Sequence, residues 1–312
     1  MKKSCYTLLF LYTITFCFAQ EKTTYTNERE ELHLCGPFDI NELEENSLYA
    51  PWFNKRYDEF KLDDTTYSWS SELKDIEVDV YMGTWCGDSK EWVPSFLKIW
   101  GQLGLDRKKL TFTALYDIDE RYKQGPNGEE KGKQIHRVPT FIFKRDGKEI
   151  ARIVETPQND LLTDIGQIAL GLPSKPNYRA ANYLMNLLEE KSVAEIRADL
   201  NTYFYKTYDH LGKSSELNTL GNVFLHSDRI EEAVLVFEFN FYFFRYDHYI
   251  IGSYAKGLAV QGETKKAKEF YERALKIHPE NKCVKRLYEE LQESESDTKK
   301  ETKDLFIALK SQ

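Results

Sequence analysis

The pattern of apolar residues changes character once, near residue 173, and that change constrains the fold more than any other feature of the chain. Before it, alternating runs and helical runs follow one another; after it, only helical periodicity remains. Ile76, Val78 and Val80 alternate with charged residues, the two-residue period of a strand with one buried face. Trp92, Val93, Phe96, Leu97 and Trp100 then recur at helical spacing. Leu110 to Tyr116 reads as another strand, and the polar stretch holding Gly125, Pro126, Gly128 and Gly132 as a loop. Thr140 to Phe143 and Glu149 to Val154 flank Asp146-Gly147, a dipeptide suited to the positive φ of a tight hairpin. Thr156-Pro157 reads as a helix start, with Gly171 and Pro173 as its stop. Strands interleaved with helices predict an α/β domain over 72–173, followed by an all-α domain over 177–292.

In the helical part, Val193, Ile196, Leu200 and Phe204 make one apolar stripe. Leu220, Gly221, Phe224, Ala233 and Phe237 recur 34 residues later as Tyr254, Ala255, Leu258, Ala267 and Tyr271. A helix–turn–helix unit of this period resembles the tetratricopeptide repeat. The second copy carries Gly262, Ala274 and Pro279 at the expected places, where the first has Asn240 and Arg245 in place of Ala274 and Pro279. Small residues let paired helices approach closely. Two copies do not bury a solenoid core alone, so helices at 177–211 and 282–292 are expected to flank and cap them. Seven aromatic residues between Phe237 and Tyr246 exceed one helix face, so some are expected to form a contact surface. The charged tail at 293–312 is expected to be mobile.

Lys2 and Lys3 precede an apolar run from Cys5 to Phe18, and Cys17-Phe18-Ala19 places small residues where a signal peptidase reads. Residues 1–19 therefore read as a signal peptide cleaved after Ala19. The run is too short to span a bilayer, and no stable membrane span is expected. Export to the periplasm or cell envelope, or secretion, follows. Residues 20–71 carry Tyr49, Trp52, Phe53, Tyr57 and Phe60, and a short helix around 52–60 is expected to pack on the α/β domain. With 43 Lys plus Arg against 51 Asp plus Glu, a net charge of −8, the 312-residue chain lacks the basic footprint of a nucleic-acid partner or an anionic membrane. After cleavage Cys35, Cys86 and Cys283 remain. Disulfides persist outside the cytosol, yet an odd count leaves one thiol unpaired within the chain, which fits a working thiol better than a disulfide scaffold.

The segment Trp85-Cys86-Gly87-Asp88-Ser89-Lys90, with Pro94 later in the same helix, is followed by Val138-Pro139-Thr140 before a strand and by the turn Lys144-Arg145-Asp146-Gly147. This ordered set resembles the thioredoxin family over residues 72–172, and more narrowly its exported members with a tetratricopeptide extension. The resemblance implies an α/β thioredoxin-like domain, a mixed central sheet flanked by helices. It implies catalytic positions at Cys86, Ser89 and Pro139, with Trp85, Gly87, Asp88, Lys90, Val138 and Thr140 supporting them. Pro139 falls at the family's cis-proline, which shapes a groove for an extended partner backbone. A thiolate is the nucleophile of disulfide exchange, and a helix N-terminus favours it, while Asp88 opposes that effect.

Three departures matter. Ser89 stands at the second cysteine's place and cannot attack a mixed disulfide. The family's buried acid falls on Val80, with Asp79 one residue off and on the other face. Glu155 replaces a small residue after the last strand. Ser89 retains the option of a hydrogen bond to the Cys86 thiolate, and the monothiol glutaredoxins also pair a first Cys with a later Ser. Cys35 reads as an idle cysteine, as one end of a bridge to Cys283, or as a distant resolving thiol. Cys283 reads as a small core residue, and His136, near Pro139, either as an exposed loop histidine or as one that approaches the site.

Gly87-Asp88-Ser89 also resembles a lipase-like nucleophile segment, but none of the six histidines has Asp three residues before it. No metal-ligand spacing and no phosphate-binding glycine loop are present, and no cofactor is expected. Two readings stay open. One is thiol–disulfide exchange through Cys86 on polypeptide partners or a low-molecular-weight thiol. The other is a non-catalytic interaction module that has lost redox turnover.

Overall fold

The computed structural model describes residues 24–63 and 65–294; the expected signal peptide and all of the tail beyond residue 294 lie outside them. The N-terminal segment contributes more than a packing helix. β1 (Thr24–Thr26) and β2 (Leu32–Leu34) form an antiparallel hairpin, and β3 (Gly36–Phe38) joins the main sheet. α1 (Asn41–Glu44) and α2 (Ala50–Glu59) follow. Pro51 lies in the first turn of α2, where a missing N–H breaks no helical bond. α2 is the helix expected at 52–60, and it buries Phe53 in the core of the sheet region.

β4 (Glu77–Met82), α3 (Gly87–Gln102), β5 (Leu110–Ala114), β6 (Thr140–Arg145), β7 (Lys148–Val154) and α4 (Leu161–Ala169) complete a mixed α/β region. The sheet order is β3-β5-β4-β6-β7, with β4 and β5 parallel and the other pairs antiparallel. The period-two pattern sorts the side chains. Val78, Val80 and Met82 face a core shared with Phe96 and Trp100 of α3, Ile165 of α4 and Phe141 and Phe143 of β6. Tyr81 and Ile142 face the other way and meet Leu115, Ile135 and Val138 in a smaller cluster, with Trp85 and Cys86 packed against it. The β6–β7 hairpin turns at Asp146-Gly147, both at positive φ. α4 begins at Leu161, later than the Thr156-Pro157 start. Asp160 takes the cap, its carboxylate accepting the Thr163 N–H at 2.9 Å, and Asp164 holds residues 158–159 outside the helix by accepting their backbone N–H groups.

From residue 179 the described chain is a run of helices: α5 (Arg179–Glu190), α6 (Val193–Ala198), α7 (Leu200–His210), α8 (Ser214–His226), α9 (Ile230–Phe243), α10 (His248–Val260), α11 (Thr264–Ile277) and a further helix over 282–294. The stripe from Val193 to Phe204 spans two helices, broken at Asp199. α8 and α10 begin 34 residues apart, and so do α9 and α11. Phe237 shows what the small residues do, because a Cβ on Gly221 or on Gly257 would strike its ring from either side. Asn240, at the place of Ala274, is buried and donates to the Ser214 carbonyl at 3.0 Å. Of the aromatic run, Phe237, Phe239 and Phe241 are buried, while Tyr242 and Tyr246 are exposed. Cys283 is exposed, a correction to its reading as a core residue. Its neighbour Val284 fills that role against Gly252. Among the described residues no helix is long and apolar enough to cross a membrane.

Candidate functional site

Cys86 is the residue at which β4 has ended and α3 begins. It caps α3 in an extended conformation (φ −86°, ψ 127°), and its carbonyl accepts the Lys90 N–H. Pro94 lies inside α3, so the Lys90 carbonyl loses the helical N–H that any other residue would supply. Gly83 and Trp85 fix the approach. A Cβ on Gly83 would overlap the Trp85 indole, whose Nε1–H donates to the Leu115 carbonyl at 2.8 Å. Gly87 is exposed, and a Cβ there would meet nothing, so the space beside Cys86 on that side is open.

The Val138-Pro139 peptide is cis. The Cys86 Sγ–H donates to the Val138 carbonyl at 3.2 Å, so the thiol and the proline loop meet. Thr140 Oγ1 donates to the Arg137 carbonyl at 2.8 Å, and the Glu155 N–H donates to the Pro139 carbonyl at 2.7 Å. Ser89 does not face the sulfur. It is fully buried, and its hydroxyl accepts the Gly83 N–H at 3.2 Å, which corrects the expected bond to Cys86. Lys90 lies over the Trp52 ring at 5.8 Å, and Asp88 is half-buried in the first turn of α3. Val80 is buried in the core, whereas Asp79 is on the opposite face, paired with Lys144 at 2.8 Å and accepting from Thr111. None of Cys35, Cys86 and Cys283 is in a disulfide. Cys35 is buried and hydrogen-bonded to the Tyr116 side chain.

Two sets of polar residues brace this loop. On the N-terminal side, Thr84 Oγ1 accepts the Leu34 N–H at 3.1 Å and contacts His33 Nδ1 at 3.1 Å. His33 Nε2 lies 3.1 Å from Asn27 Nδ2, so both ring nitrogens have polar neighbours. Asp117 accepts from Tyr25 and Asn27. On the other side lie His136 and two residues that sequence reasoning missed, Lys123 and Arg137. Lys123 is buried, at 5% exposure, in the left-handed region (φ 58°). Its Nζ donates to the His136 carbonyl at 3.0 Å and lies over the Tyr122 ring at 4.9 Å. Burial pushes this amine down to about 7, and nearby Arg137 pushes it the same way. His136 is not an exposed loop histidine. It is 1% exposed, neither ring nitrogen has a hydrogen-bond partner, and burial first, then Lys123 and Arg137, hold it neutral well below the usual histidine range.

Arg137 ties this corner to the helices. It pairs with Glu155 at 3.1 Å, donates to the Ser215 carbonyl at 2.7 Å and lies 4.5 Å over the Tyr178 ring. Tyr178, at φ 65°, caps α5 and also meets the His136 ring edge-on. The only hint in the sequence was adjacency, since His136 and Arg137 immediately precede Val138-Pro139. Comparison with protein-family models, curated proteins and solved structures returned no match to this chain.

Proposed function

We propose that this chain is an exported thiol–disulfide exchange protein, with a thioredoxin-like domain that acts on polypeptide disulfides through Cys86 alone. One observation carries the reading: a half-buried thiol at a helix N-terminus that faces the carbonyl preceding a cis proline. A free N-terminal turn supplies unpaired N–H donors and partial positive charge beside the sulfur. The open space at Gly87 leaves an approach for a partner. The strand order around β4, with β5 parallel and β6 and β7 antiparallel, is compatible with that fold. The sequence of residues 1–19 supports export, and the 34-residue offset of α8–α9 and α10–α11 supports a tetratricopeptide-like helical domain.

Exchange here would stop at the mixed disulfide, because Ser89 has no sulfur to release it. An external thiol would complete the cycle. Ser89 also favours a second reading, in which the chain binds polypeptides without turnover. Its hydroxyl serves the fold at Gly83 and leaves the chemistry to one residue. Trapping decides between the two. Cells expressing the full chain are quenched in acid, alkylated and run on non-reducing gels. The exchange reading expects adducts that vanish in Cys86→Ala. Adducts absent from the unmodified chain, with every non-covalent partner retained in Cys86→Ala, would replace it with the binding reading.

A further inference from the structure

A cleft of about 350 Å³ opens where the α/β region meets the helices. Gln134 and Ile135 line it from the loop before β6, Met185 and Glu189 from α5, and the end of α8 with the α8–α9 turn completes it. Small-ligand sites have this size and favour such junctions. Its apolar lining, Ile135, Met185, Val223 and Phe224, is buried. Its charges do not cancel. Arg229 lies over the Phe224 ring at 3.9 Å and is paired with Glu232, which takes that cation out of the balance. Three carboxylates, Glu130, Glu189 and Asp228, then share the lining with one ammonium, Lys131. Glu130 accepts the Gly125 N–H at 2.8 Å, while the exposed Glu189 and Asp228 side chains bond to nothing among the described residues. His226 is held below the usual histidine range by burial, then by Lys256, and adds no charge at neutral pH. The α8–α9 turn also has a sister 34 residues on. The Arg229 N–H donates to the Phe224 carbonyl at 3.0 Å, and the Glu263 N–H to the Leu258 carbonyl at 2.9 Å. Both turns hold their middle residue in the left-handed region, Gly262 at φ 88° and Asp228 at φ 58°. Glycine suits that backbone best and aspartate tolerates it, so the first turn presents a carboxylate where its sister has no side chain.

We propose that this cleft is a docking site for a lysine or arginine side chain of a polypeptide partner. Docking here goes beyond the exchange reading and does not depend on it, since a partner can bind the cleft whether or not it reacts at Cys86. The charge balance and the apolar lining together select the occupant. Lysine and arginine carry a cation on an apolar stem, and they bury the stem while leaving the head in water. The stem meets Met185 and Phe224, and the head meets the exposed carboxylates of Glu189 and Asp228. An anionic ligand would face those carboxylates instead. A metal ion does not fit, because no group of three or more His, Cys, Asp or Glu side chains among the described residues is placed to hold one.

Peptide titrations of the full chain test this. The probes are N-acetylated, C-amidated pentapeptides of glycine with lysine, arginine, norleucine or glutamate at the centre. Methyl ¹³C NMR reads the cleft through Met185 and Ile135. The lysine and arginine peptides should shift both signals saturably, and the norleucine and glutamate peptides should bind more weakly. Added salt should weaken the lysine peptide, because the carboxylates it meets are exposed. Asp228→Gly places the sister turn's residue in the same backbone and so spares the fold, and Glu189→Gln keeps the side chain's size. Each should weaken the lysine peptide about threefold, the order of one exposed ion pair. Equal binding of the lysine and glutamate peptides overturns the proposal, and so does an affinity unchanged in both variants. Tighter binding of 1-aminobutane than of the lysine peptide would assign the cleft to a free amine and overturn the polypeptide partner. Shifts of Met185 and Ile135 that follow protein concentration and not peptide would assign it to a second copy of this chain, which overturns it as well. Every readout is independent of Cys86, so the exchange reading stands or falls separately, on trapped adducts.

Discussion

The two braces of the Cys86 loop are built differently. On the N-terminal side, His33, Thr84, Tyr25 and Asp117 satisfy one another through short hydrogen bonds between the β1–β2 hairpin and the ends of β4 and β5. On the side facing the helices, Lys123, His136 and Arg137 bring basic groups into a buried corner, two ring nitrogens lack partners, and one carboxylate, Glu155, offsets them. A buried polar group without its bonds destabilises the fold that holds it. The N-terminal brace is therefore architecture, and the other keeps an electrostatic imbalance next to the thiol. Such imbalances cluster at functional sites.

The largest expected effect breaks the imbalanced side. Lys123 titrates near 7 in the fold and near the ordinary lysine value when unfolded. Between those values the unfolded chain binds the extra proton, so stability rises with pH. The destabilisation is fully present below pH 7 and fades as pH climbs toward 10. Urea unfolding of the full chain should show a gain of about 3 kcal/mol between pH 7 and 9.5. Lys123→Met should remove that slope and be the more stable protein at pH 7. A slope that survives the substitution would assign it to other groups and erase the contrast between the two sides.

A smaller loss is expected on the satisfied side. Thr84→Val keeps the shape but leaves His33 Nδ1 and the Leu34 N–H without their shared hydroxyl partner in a buried site. The expected cost is about 2 kcal/mol, with no change in slope between pH 7 and 9.5, measured by the same unfolding curves. A pH-dependent loss would mean that the two braces are electrically connected and that their difference is one of degree.

The contrast between the braces also separates what the sequence made legible from what it hid. The strand alternation at Ile76 to Val80, the Asp146-Gly147 turn and the Trp85-to-Lys90 segment are local patterns, and the described elements follow them. The 34-residue recurrence likewise anticipates the offsets of α8–α11. Lys123 and the burial of His136 were hidden because the polar loop that holds them is covered by chain from residue 178 onward. Arg137 reaches Ser215 and His136 meets Tyr178, contacts that no window of ten residues encodes. β3 was missed because three residues are too few to show a period, and Asp160 captured the start of α4 from Thr156 because its side chain reaches the Thr163 N–H. Cys283 differs from Val284 by one step around a helix, enough to move it from the core to solvent.

The smallest expected effect asks to which brace Ser89 belongs. Its position in the motif suggests a partner for the sulfur, yet its hydroxyl accepts the Gly83 N–H and lies fully out of solvent. Gly83 precedes Thr84, so Ser89 serves the satisfied side. Ser89→Ala removes one buried acceptor and should lower unfolding stability by about 1 kcal/mol. Because the hydroxyl does not touch Cys86, the labelling rate of Cys86 by iodoacetamide at pH 7 should stay within about twofold, a change of under 0.5 kcal/mol. The two readouts can disagree, which is what makes the substitution informative. A stable Ser89→Ala protein whose Cys86 labelling falls severalfold would place the hydroxyl on the sulfur in solution. The thiol's surroundings would then be set from both braces.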